Sequence, residues 1–154
     1  MKDWGKELYK EWVKKKFIPQ ILQLVREKTG YGGEFNLEFK PSWYFIFSEK
    51  HANIKYNRET KEITEHKIIV EEPRLYSNSP WDVFFYGWTL IGEALHIADA
   101  FQSGIDNLSS ERRIHIHALI LINKYMRDNY PSWYRKNKRI LERIKKTIIF
   151  MKVD

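Results

Sequence analysis

The chain has 154 residues, 43% of them hydrophobic and 31% charged, with a formal charge of +7, the composition of one folded domain rather than a disordered or fibrous chain. It contains no cysteine, which excludes a disulfide framework, a thiolate zinc cluster and a cysteine nucleophile. No apolar run reaches the length of a membrane span and the first residues lack the apolar core of a signal peptide, so the expected location is intracellular, with no membrane partner.

Residues 3–28 read as an amphipathic helix, because Leu8, Trp12, Ile18, Leu22 and Val25 recur at three- and four-residue steps. Pro19 falls inside the pattern and predicts a kink or a break into two helices. Thr29-Gly30-Tyr31-Gly32-Gly33 ends it. From Glu34 to Glu72 the period changes to two. Phe35, Leu37 and Phe39 alternate with polar neighbours, and Pro41-Ser42 turns the chain into Trp43-Tyr44-Phe45-Ile46-Phe47. Ile54 and Tyr56 lead into the turn Asn57–Lys61, and Ile63 to Val70 returns. This predicts an antiparallel meander of three or four strands. Pro73 closes it, and Ser77-Asn78-Ser79-Pro80 is a loop.

Residues 81–102 are apolar on most faces, as in a buried central helix. Ser109-Ser110-Glu111 starts the next helix, which runs to about Arg127 and is broken at Asn129-Tyr130-Pro131. Within it, Arg113 to Ile122 alternates and is rich in β-branched residues, which suits a strand. The capped start and the tail through Arg127 favour a helix, and helix is the expectation. A basic helix over Ser132 to Ile148 completes an α+β chain, a single domain over residues 1–154: helix, meander, then three helices.

Charge is unevenly spread. Residues 81–110 hold Asp82, Glu93, Asp99 and Asp106 and no Lys or Arg, whereas residues 111–154 hold twelve basic and four acidic side chains. Such a pattern fits a cation-binding centre between anion-attracting surfaces, or a buried helix between solvated ones.

Thr89-Leu90-Ile91-Gly92-Glu93-Ala94-Leu95-His96 resembles the active-site helix of zincin metallopeptidases. There two histidines four apart bind zinc, and the glutamate after the first activates the metal-bound water. Glu93 and His96 stand where the resemblance asks for the general base and the second ligand; Gly92 stands where it asks for the first. The likeness spans roughly residues 34–125 and implies a zincin-like fold, with Glu111, followed by His115, on the next helix as further ligands. It implies a metallopeptidase-like protein with an incomplete metal site, zinc if any metal, in a binding or scaffold role with a protein partner; if active, it is a metal-dependent hydrolase. Without the family, the same residues predict two pairs, Glu93/His96 and Glu111/His115, each on one helical face, meeting when the helices pack. A purely structural role, with His96 bonded to Glu93 or to a backbone carbonyl, uses them equally.

Two other features bear on function. His115-Ile116-His117 resembles the metal-binding strand of HUH endonucleases, in which a tyrosine, here Tyr125, Tyr130 or Tyr134, attacks a phosphodiester. That reading needs a strand, since imidazoles two apart share a face only there. The C-terminal stretch, with Arg135, Lys136, Lys138, Arg139, Lys145 and Lys146, is the candidate nucleic-acid-binding surface, Trp133 and Tyr134 offering stacking. An ordinary solvated helix face is the alternative.

Overall fold

The computed structural model describes residues 10–47, 51–72 and 80–150. The expected helix start over residues 3–9, Trp4, Pro73, the loop at Ser77-Asn78-Ser79 and Lys152 lie outside the described residues. Pro19 has no backbone N–H to donate, and the helix accommodates it with a wider turn just upstream. Val13–Phe17 is a π-helical turn, in which the Ile18 amide bonds to the Val13 carbonyl. It runs directly into α1 (Ile18–Thr29). Gly30 ends α1 in the left-handed region at φ 75°, its N–H bonded to the Arg26 carbonyl. The apolar stripe of Val13, Phe17, Ile18, Ile21, Leu22 and Val25 is buried.

The sheet has three strands, β1 (Leu37–Lys40), β2 (Ala52–Tyr56) and β3 (Ile63–Glu71), in the order β1-β3-β2. β2 and β3 form the expected hairpin, Ala52 opposite Ile68 and Lys55 opposite Glu65. Its turn is held by Asn57 Oδ1, which accepts from the amides of Glu59 and Thr60. The wholly antiparallel meander is corrected: β1 pairs parallel to β3, Leu37 with Ile68 and Phe39 with Val70. The reason lies at Pro41-Ser42. Instead of turning into a strand, the chain winds into the one-turn helix α2 (Tyr44–Phe47), with the amides of Tyr44, Phe45 and Ile46 bonded to the carbonyls of Pro41, Ser42 and Trp43 at 3.0 to 3.2 Å. Pro41 presets a helical φ, and the crossing connection delivers β2 to the opposite edge of β3.

Helix α3 (Pro80–Ser103) is the centre of the packing, against α1, β3 and the helices that follow it. Phe84, Ile91, Ala94, Ile97 and Ala98 are fully buried along it. A 3-10 turn (Ile105–Asn107) reverses the chain into α4 (Glu111–Asn129), so the expectation of a helix over residues 113–122 is met. Ser110 caps α4, its hydroxyl accepting from the Arg113 amide at 3.2 Å. Asp99 ties the connection down: its carboxylate accepts from the Ser109 amide at 2.7 Å and from the Ser109 and Ser103 hydroxyls. The expected last helix is two, α5 (Pro131–Lys136) and α6 (Lys138–Ile149). At the joint, the Asn137 side chain donates to the Trp133 carbonyl at 2.9 Å, competing with the backbone ladder.

Two glycines of α3 stand in opposite surroundings. A methyl group at Gly87 would sit 2.4 Å from Ile122 Cδ1 and 3.0 Å from Phe17 Cζ, so α3 meets α4 and the π turn at closest approach there. A methyl group at Gly92 would meet nothing within 4 Å. Gly87→Ala is therefore expected to destabilise the fold by about 1–3 kcal/mol through overpacking. Gly92→Ala is expected to stabilise it by up to about 1 kcal/mol through helix propensity. Urea denaturation of both variants checks the pair; equal effects of one sign would contradict the packing described.

Candidate functional site

Residues four apart stack on one face of a helix, so Trp88, Gly92 and His96 form one stripe of α3, and Glu111 and His115 one stripe of α4. The two stripes face each other across the seam. Glu111 Oε2 lies 3.2 Å from His96 Nε2 and 3.4 Å from His115 Nε2. Trp88 Nε1 donates to the His115 carbonyl at 3.0 Å, and its ring meets the His115 imidazole edge-on. The three residues named from the sequence as metal ligands, His96, Glu111 and His115, are thus brought together, with Glu111 hydrogen-bonded to His96 and in contact with His115.

Their chemistry is that of hydrogen bonding. His115 Nδ1 is buried without a hydrogen-bond partner, so the tautomer that leaves a bare lone pair there carries its proton on Nε2, directed at Glu111. Ligation through Nε2 would move that proton to the orphaned Nδ1, whereas a metal-bound histidine ordinarily donates its second N–H to an acceptor. Burial holds the His115 imidazole below its usual range, opposed by the charge of Glu111 and reinforced by His96. The structural role anticipated for His96 has a different partner: the imidazole is bonded to Glu111, across the seam. Among the described residues, no group of three or more His, Cys, Asp and Glu side chains is placed to hold a metal ion. The set therefore does not fit the zinc that the resemblance implies.

Glu93, the residue named as general base, turns the other way, into a cleft of about 310 Å³ between β3 and α3. Ile68, Val70, Phe85 and Leu90 form its apolar walls, and Glu71, Glu72, Asp82 and Glu93 bring four carboxyl groups to it, with His51 the one basic side chain among the described lining residues. Glu72 is paired with Lys14 at 2.8 Å and Glu71 accepts from the Ser42 hydroxyl at 2.6 Å. Burial, with the charge of Glu111 behind it, pushes the Glu93 carboxyl up to about 7. The contribution of β3 to this cleft was missed in the sequence. Asp82, Thr89 and Glu93 are spaced by seven and four, which marks a shared helical face, but nothing local says that Glu71 and Glu72 come to lie opposite.

The His-x-His reading loses its basis. Residues 113–122 are helical, so His115 and His117 project about 200° apart. His117 lies in a shallow groove with Arg113, Ile116 and Ile120, away from the seam. Tyr125 is buried and bonded to Gln20, and burial raises its phenol far above the usual range. Tyr134 donates to Asn123 at 2.8 Å and Tyr130 accepts from Trp12 Nε1 at 3.0 Å.

On the basic surface, Arg135, Lys136, Lys138, Arg139 and Lys146 are exposed. Lys145 is corrected out of the set: it lies beside the buried stripe of α6, only 20% exposed, with its ammonium 2.6 Å from Glu142. Trp133 is buried and Tyr134 half-buried, so the stacking expected of them is withdrawn. Arg143, passed over in the sequence, is exposed between Arg139 and Lys146. No family model, curated protein or solved structure matches this chain.

Glu93 makes stability depend on pH. The folded state holds its proton up to about pH 7, against an ordinary 4.5, so it binds more protons than the unfolded chain between those values. That stabilisation is complete below 4.5 and is lost as pH rises through about 7, a change on the order of 3 kcal/mol. Chemical denaturation from pH 5 to 8 is expected to record the decline in the parent and its loss in Glu93→Gln. A parent curve matching that of the variant would contradict the burial of an ionisable Glu93.

Proposed function

We propose that the protein is a binding protein on a zincin-like core, without peptidase activity, whose cleft between β3 and α3 takes a ligand presenting a cation to Glu93. The observation that carries this reading is the Glu93 carboxyl at the wall of a cleft with apolar sides, where the described lining residues include four carboxyl groups and no Lys or Arg. A sizeable apolar pocket with a few polar groups and a displaced carboxyl titration is the usual form of a small-ligand site. Gly92 brings no metal donor to the place where the zincin resemblance needs one. Glu111 is hydrogen-bonded to His96 and lies 3.4 Å from His115, which supports a hydrogen-bonding role for these side chains.

The ligand class follows from the lining. An alkylammonium or guanidinium group with an apolar stem, free or at the tip of a basic side chain, matches carboxylates at one end and Ile68, Val70 and Phe85 at the other. Its charge favours the ionised form of Glu93, so binding releases a proton below pH 7.

The test is titration with n-butylammonium, followed by amide NMR shifts of cleft residues. Since Glu93 is about one-tenth ionised a pH unit below its titration near 7, affinity is expected to fall about tenfold from pH 8 to pH 6. Neutral n-butanol is expected to show no such dependence, and Glu93→Gln to abolish it. Butanol binding as well as butylammonium, or peptide hydrolysis by zinc-supplemented protein that is lost in Glu93→Gln, would overturn the reading.

A further inference from the structure

Helix α6 carries two stripes of opposite character. Leu141, Ile144 and Ile148 are buried in the core. Arg139, Arg143 and Lys146, spaced by four and three, form a ridge on the opposite side, and all three are exposed. Their Cα atoms rise along the axis by about 6 Å and then about 4.5 Å. The acid of the helix, Glu142, is engaged by Lys145, and among the described residues no carboxylate lies within ion-pair distance of Arg139, Arg143 or Lys146. Lys138 begins the same helix and is exposed. Arg112, from the start of α4, reaches the far end, where its guanidinium donates to the Ile149 carbonyl at 3.2 Å.

We propose that this ridge is a nucleic-acid-binding surface that tracks the phosphate backbone of a DNA duplex through Lys138, Arg139, Arg143, Lys146 and Arg112. The occupant follows from charge and from what surrounds the charge. An anionic bilayer recruits an amphipathic helix by taking its apolar face, and here that face is already committed to the core. A single strand is gripped by a series of aromatic platforms; here Trp133 and Tyr134 are turned inward, and Phe150, exposed just past the end of the helix, offers a single ring beside the row. A row of cations with one ring at its end suits contacts to phosphate without sequence preference.

Fluorescence anisotropy with a labelled duplex of arbitrary sequence tests this on the full chain. Four to five phosphate contacts give a log–log salt slope of about −4, an affinity loss of roughly 250-fold between 50 and 200 mM salt. Replacing Arg139, Arg143 and Lys146 together by Gln is expected to reduce the slope by about 2 to 3, with the circular dichroism spectrum unchanged because the three side chains are exposed. Glu93→Gln is expected to bind duplex as the parent does, so failure of the cleft reading leaves this one standing. Absence of duplex binding at 50 mM salt, a triple variant that binds like the parent, or binding to phosphatidylserine vesicles or single strands in preference to duplex overturns the proposal.

Discussion

The close approach of α3 and α4 at Gly87 governs the rest of the structure. With hydrogen alone at that position, Ile122 and Phe17 pack directly against the α3 backbone. The separation of the two helices is thereby fixed about one and a half turns from Gly92 and about two and a half turns from His96. At that separation a glutamate on α4 spans the seam, and Glu111 is hydrogen-bonded to His96 and lies 3.4 Å from His115. On its other side α3 packs against β3, and Glu93 opens there. Two faces of α3 thus differ in character, one a polar seam with α4 and the other a cleft with β3.

Gly92 makes the contrast informative. Glycine inside a helix costs about 1 kcal/mol relative to alanine, and close packing explains that cost at Gly87 but not at Gly92. The open space above Gly92 lies along the stripe from Trp88 to His96, beside a histidine with an orphaned ring nitrogen. In the zincin resemblance this is the place of the first metal ligand.

What could be read from the sequence and what could not divide along the range of the interactions. The two Glu/His pairs were legible because three- and four-residue spacing on a helix is a local property. The meeting of His96 with Glu111 and His115 needed only that consecutive helices joined by a short connection pack side by side; Glu93, facing β3, stays out of it. The helix over 113–122 was legible from its cap at Ser110 despite its strand-like alternation. The parallel pairing of β1 was not, because it depends on the helical turn begun by Pro41 and on which edge of β3 remains open. Nor was the split at Asn137, where the backbone leaves the helical angles (φ −105°, ψ 14°) within an otherwise continuous amphipathic pattern. Lys145 and Arg143 exchange places as surface cations for the same reason: facing on α6 is set by the stripe that docks, and a charge count along the chain has no direction.

The central claim is that the α3–α4 seam is a hydrogen-bonded one, Glu111 to His96, with His115 a neutral imidazole carrying its proton on Nε2 rather than a metal ligand. Long-range 15N–1H correlation of the histidine side chains, recorded at pH 7.5 with and without one equivalent of zinc, reads this directly. The account predicts His115 as the neutral Nε2–H tautomer, unchanged by zinc. An Nδ1–H tautomer of His115, with Nε2 shifting on addition of zinc, would contradict it.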